Sequence, residues 1–186
     1  MTMIAQTVLV IALGIVCLGG VGGFQPVAAQ QTADQTPPCE GDERFREFDF
    51  WIGHWEVTTA QGQVAGTNRV EKEEQGCMLL ERWTSSNGGT GTSINYFDPA
   101  KGKWVQVWVA SAGYSIVIEG RLEDGKMVLV GHLVGLDGAA TPFRGTWTPL
   151  SDGRVRQFFE QSTDDGKTWT PWFDGYYKRM EGEKGD

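Results

Sequence analysis

Six polar side chains stand where apolar ones would be expected: Asn95, Gln106 and Gln157 among aromatics, and Glu81, Glu119 and Glu160 within otherwise apolar stretches. A polar group carried into a protein interior needs a partner, which can be another side chain, water or a bound molecule. Amides interleaved with large aromatics have the composition of a small-molecule pocket, where an apolar lining carries a few orienting polar groups. The candidate ligand-binding residues are therefore Asn95, Trp104, Gln106, Trp108, Gln157 and Phe159, and the expected ligand is small and hydrophobic or amphipathic. The glutamates raise a second possibility, an isomerase or hydrolase that uses Glu119 or Glu160 as a buried acid or base. A third is an envelope or partner-binding module with no ligand, which would be marked by a large exposed apolar patch.

Other chemistry is thinly represented. The two histidines, His54 and His132, lie far apart and outside any H-E-x-x-H pattern, so no metal site is expected. Ser93 lacks the G-x-S-x-G elbow of a serine nucleophile. Gly88-Gly89-Thr90-Gly91 has no lysine and no following helix, so it reads as a hairpin tip at the rim of a ligand entrance, not as a phosphate loop. No catalytic residue and no cofactor are assigned.

The elements that must position these residues are short strands. Segments near 48–57, 63–72, 78–85, 91–98, 103–110, 114–122, 126–134, 140–148, 154–162 and 168–178 alternate with turn signals. Asp124-Gly125, Asp137-Gly138, Asp152-Gly153 and Asp165-Gly166 tolerate the positive φ angles of tight hairpins and so argue for antiparallel neighbours. No stretch sustains a 3.6-residue apolar period. About ten sequential strands with short turns would leave two open edges unless the sheet closes, which predicts an all-β, up-and-down antiparallel barrel. In Trp104–Val109 both faces are apolar; the tryptophans, with more area to hide, are expected inside. Ser162–Trp169 (STDDGKTW) matches the Asp-box S-x-D-x-G-x-T-W at every defined position, which predicts a braced hairpin turn, not a binding site.

The domain is expected over 45–180, with a flexible tail at 181–186 and a disordered linker or arm at 30–44. Residues 1–29 carry no charged side chain, and Val8–Phe24 is apolar but broken by five glycines. With Val27-Ala28-Ala29 following, this reads as a signal peptide cut after Ala29; an uncleaved anchor is the rival reading. Export would place the protein in the periplasm or outside the cell, with no stable membrane span once the signal is removed. The remaining cysteines, Cys39 and Cys77, then form an even pair expected to be a disulfide. With 24 acidic against 16 basic side chains the formal net charge is −8, which disfavours nucleic acid as a partner. Oligomeric state is not legible.

Two levels of resemblance add to this reading. Gly53-His54-Trp55 is similar to the Gly-x-Trp signature on the first strand of lipocalins and other calycins. That resemblance implies that Trp55 closes one end of a barrel and packs against a late basic residue, Lys178 or Arg179. More widely, Phe48–Val57 (FDFWIGHWEV), Gly66–Lys72, Gly76–Glu81, Trp147–Pro149 with Asp152–Gln157, and Phe173–Tyr176 resemble a family of exported, lipocalin-like bacterial proteins with no established activity. The resemblance implies the barrel, export and a bacterial source, and brings no catalytic residues with it.

Overall fold

The computed structural model describes residues 37–180. The expected signal peptide, Cys17, residues 30–36 and the tail 181–186 lie outside the described residues.

Ten antiparallel strands close into a barrel in strict sequential order: β1 (Gly53–Thr59), β2 (Val64–Glu73), β3 (Met78–Ser85), β4 (Thr90–Asp98), β5 (Lys103–Ala110), β6 (Ser115–Glu123), β7 (Lys126–Val134), β8 (Ala140–Pro149), β9 (Val155–Gln161) and β10 (Thr170–Arg179). The seam is the β1–β10 ladder, which pairs Trp55 with Arg179 and Thr59 with Gly175. With the seam zipped, no edge of the ten described strands is left bare. The hairpin turns use the expected chemistry: Gly125, Gly138, Gly153 and Gly166 all sit at positive φ.

Alternation then sorts the side chains. Trp104, Gln106 and Trp108 of β5 face inward, as expected for the larger residues, and Val109 faces out. The inner face is dominated by bulky apolar residues, including Ile116, Ile118, Leu129, Phe143 and Trp147.

The first apolar run is only partly a strand. Phe48–Trp51 was expected to begin β1; instead, Asp49–Trp51 forms a short 3₁₀ turn that tucks beneath one end of the barrel. Phe48 and Trp51 are fully buried there. Phe48 stacks on Trp51 at 5.0 Å and meets Trp104 and Trp147 edge-on at 5.5 and 5.2 Å. These rings plug the barrel with aromatic area worth roughly 2–3 kcal/mol per buried side chain. The plug is anchored by the Lys72–Asp49 ion pair at 2.7 Å and by its own Trp104, whose Nε1 donates to Glu47 at 3.2 Å.

The described part of the arm expected to be disordered, residues 37–44, is held against the barrel. Cys39 and Cys77 form a disulfide with a Cα–Cα distance of 5.0 Å, and Asp42 caps a 3₁₀ turn at Glu43–Arg46. A disulfide of this kind fits a compartment more oxidising than the cytoplasm. Among the described residues, no helix is long and apolar enough to cross a membrane.

Trp55 takes the position that the Gly-x-Trp pattern implies. Its ring is fully buried beneath the Arg179 guanidinium, 4.3 Å from the ring centroid. Gly53, at φ 151°, leaves the room: a Cβ there would lie 2.3 Å from Arg179 Nη1.

Candidate functional site

Above the aromatic plug the barrel interior is layered. A band of hydrogen-bonded polar side chains crosses it first, and a partly open cavity of about 250 Å³ follows. Aromatic walls come from four strands and a turn: Trp83 on β3, Trp108 on β5, Tyr114 just before β6, Phe159 on β9, and Trp172 with Phe173 on β10. The floor is formed by Glu81, Gln157 and Tyr177, where the polar band meets the cavity.

Trp172 and Phe173 are neighbours in sequence, yet both line the cavity. A bulge makes this possible. The β9–β10 register slips between Pro171, opposite Glu160, and Phe173, opposite Phe159, leaving Trp172 without a cross-strand partner. Bulges re-aim side chains in this way and are common beside functional sites. Trp172 then packs against Phe143 at 5.4 Å and Tyr114 at 5.9 Å, forming part of the rim.

The Asp-box lies immediately before this bulge. Asp164 accepts hydrogen bonds from the Thr168 N–H at 2.8 Å, the Thr168 hydroxyl at 2.7 Å and the Ser162 hydroxyl at 2.8 Å. Those donors, the Thr168 backbone first, hold its carboxyl down to about 2. Arg144 covers the Trp169 ring at 4.4 Å from outside the barrel. The motif is a brace, as expected, and what it braces is the start of the strand that carries Trp172.

Glu81 is the centre of the polar band and is almost completely buried. Its Oε1 accepts from Asn68 Nδ2 at 2.8 Å and its Oε2 from the Ser93 hydroxyl at 2.6 Å. The band continues through Asn95 Nδ2 donating to Ser93 Oγ at 2.8 Å, and Gln106 Nε2 donating to Asn95 Oδ1 at 2.8 Å. On the other side Tyr177 donates its hydroxyl to Gln157 Oε1 and accepts from Asn68 at 3.4 Å. Burial pushes the Glu81 carboxyl up to about 7, and the Ser93 and Asn68 hydrogen bonds oppose it only in part. Burial and the neighbouring Glu81 charge also push the Tyr177 phenol well above its ordinary value.

Two buried polar atoms in and beside the cavity wall, Trp108 Nε1 and Asn68 Oδ1, have no hydrogen-bond partner among the described residues.

The residues singled out from sequence divide into two groups. Trp108, Gln157 and Phe159 line the cavity. Trp104, Asn95 and Gln106 do not: Trp104 belongs to the plug, and the two amides bond to each other. All six face inward; the three misplaced ones lie too deep, because strand alternation fixes the face and not the height along the barrel.

Glu119 and Glu160 are corrected as acid–base candidates, because both are on the outer surface. Glu119 is clamped by Lys101 at 2.7 Å and Lys103 at 2.8 Å, which hold its carboxyl down to about 2. Glu160 pairs with Arg144 at 2.8 Å. Among the glutamates flagged from sequence, only Glu81 is inside, on the same face of β3 as Leu79 and Trp83. His132 is exposed on β7, and among the described residues no three His, Cys, Asp or Glu side chains converge on a metal-sized site.

No protein-family model matches this chain, and neither does any curated protein.

Proposed function

We propose that this protein is an exported, lipocalin-like binding protein that takes a small, partly apolar molecule into the open half of its barrel. The observation that carries the reading is the cavity of about 250 Å³ with aromatic walls and a floor that presents a buried carboxyl, an amide and a phenol. Apolar walls with a few convergent polar groups are the usual form of a small-molecule site. The volume lies just below the roughly 300–1,000 Å³ of drug-sized pockets, so the ligand is compact. The Cys39–Cys77 bridge, the apolar segment at residues 8–24 and the resemblance to exported lipocalin-like proteins support the compartment.

Glu81 supports a second reading, an enzyme on the same barrel. A carboxyl pushed up to about 7 at a cavity floor is poised for proton transfer near neutral pH. This replaces the Glu119 and Glu160 version of the idea.

The test is an NMR titration that follows the indole N–H signals of the eight tryptophans. A bound molecule should move the Trp83, Trp108 and Trp172 signals and leave Trp51, Trp104 and Trp147 in place. Binding that moves only the signals of the plug, or of Trp169 outside the barrel, would refute the cavity as the site. Turnover of a bound compound that Glu81→Gln abolishes would favour the enzyme.

A further inference from the structure

The chemistry of the cavity selects among ligands. Its walls present three indoles, Trp83, Trp108 and Trp172, together with Tyr114, Phe159 and Phe173. The electron-rich faces of such rings attract cations, tryptophan most strongly. Among the described residues, Glu81 is the only ionisable carboxyl lining the cavity, and no lysine, arginine or histidine lines it. Glu81 is held by two neutral donors, Asn68 and Ser93, so its negative charge has no countercharge within the band. Among the described residues the lining thus offers one carboxylate and no positive charge.

We propose that the ligand is a small organic ammonium ion carrying an apolar or aromatic group, with its charged nitrogen directed at Glu81 and its apolar part between Trp83, Trp108 and Trp172. This rests on the cavity being a ligand site and names the class of molecule that fits it. An incoming ammonium supplies the missing countercharge for Glu81, which offsets the desolvation of both groups. The rings stabilise the rest of the cation and exclude water. The formal net charge of −8 raises the local concentration of cations around the protein.

Proton linkage gives the idea a signature. The titratable groups facing Glu81 are Tyr177 from β10 and Tyr114 from the β5–β6 turn, and both phenols stay neutral at pH 6–8 because burial raises them. Its other neighbours, Asn68 and Ser93, do not titrate. A cation prefers ionised Glu81, and with that carboxyl at about 7, ammonium affinity should rise roughly tenfold between pH 6 and pH 8.

The experiment is calorimetric titration of the intact protein with three probes of similar shape: 3-phenylpropylamine, 3-phenyl-1-propanol and 3-phenylpropionate. The amine should bind at least tenfold more tightly than the alcohol at pH 8, the acid most weakly, and only the amine should show the pH dependence. Glu81→Gln, shown to be folded by circular dichroism, should remove the preference for the amine over the alcohol and its pH dependence. If the alcohol binds as well as the amine, the cavity is a ligand site but the ammonium assignment is wrong. If none of the three binds, both the assignment and the cavity reading fall.

Discussion

Arg179 lies over the indole of Trp55 at 4.3 Å, and the same two residues face each other across the ladder that closes the barrel. One side chain comes from the first strand and the other from the last, so their contact locks the seam. Trp55 is also fixed from below, its Nε1 donating to the Trp51 carbonyl at 3.0 Å. The seam and the aromatic plug are thus one assembly.

Removing the guanidinium should loosen that assembly. Arg179→Ala is expected to cost about 1 kcal/mol, the usual worth of a cation over a tryptophan face plus some lost cover. Arg179→Lys should recover part of it. Chemical denaturation of the three proteins measures this; an alanine variant as stable as the parent would show that the backbone ladder alone closes the barrel.

The disulfide should matter more. Cys39 and Cys77 are separated by 38 residues, and a loop of that size carries an entropic stabilisation of about 4 kcal/mol. Because the loop contains Phe48 and Trp51, reduction should also free the plug. The expected result is a large drop in denaturation midpoint with reductant, and no free thiol in the denatured, unreduced chain beginning at Gln30. Two free thiols there would refute the bridge.

Much of the architecture could be read from residue order. The Asp-Gly turns and the regular strand spacing led to sequential antiparallel pairing and closure, with most strand ends within a residue or two. Phe48–Trp51 reads as strand from sequence because an apolar run looks the same whether it continues a strand or folds under as a plug. The site was legible only in part. Trp104 and Trp108 share one face of β5, and nothing in their spacing says that one caps the plug while the other lines the cavity. Trp172 could not be assigned inward by alternation, since the bulge at Pro171–Phe173 breaks the period. Glu81 carries a readable signal: it alternates in phase with Leu79 and Trp83, whereas Glu119 is out of phase with Ile116 and Ile118.

Glu81 should leave a mark on the pH dependence of stability. Its carboxyl is raised from an ordinary 4.5 to about 7 in the folded protein, so the unfolded chain releases its proton first as pH rises. Its contribution is favourable below pH 4.5, declines between 4.5 and 7, and levels off above that, by about 3 kcal/mol in all. Glu81→Gln should flatten the decline across that window. An unchanged slope in urea denaturation from pH 4.5 to 8 would mean that Glu81 titrates normally.

The Asp-box should control the rim from outside the cavity. Asp164→Ala removes the acceptor for the Thr168 amide and hydroxyl, so exchange of the Thr168 amide should accelerate. Since the turn leads into the Trp172 bulge, the Trp172 indole signal should broaden while Trp104 and Trp147 stay sharp. Unaltered exchange at Thr168 would show that the flanking ladder holds the turn without Asp164.

The most direct test of a barrel that holds a small molecule is native mass spectrometry of the protein from its own host, beside a variant with the cavity filled. Ala65 lines the cavity, so Ala65→Phe places a ring in that space. The wild-type protein should carry a non-covalent adduct of a small compound, and Ala65→Phe, folded by circular dichroism, should carry none. Bare masses for both proteins, or the same adduct on both, would contradict the account.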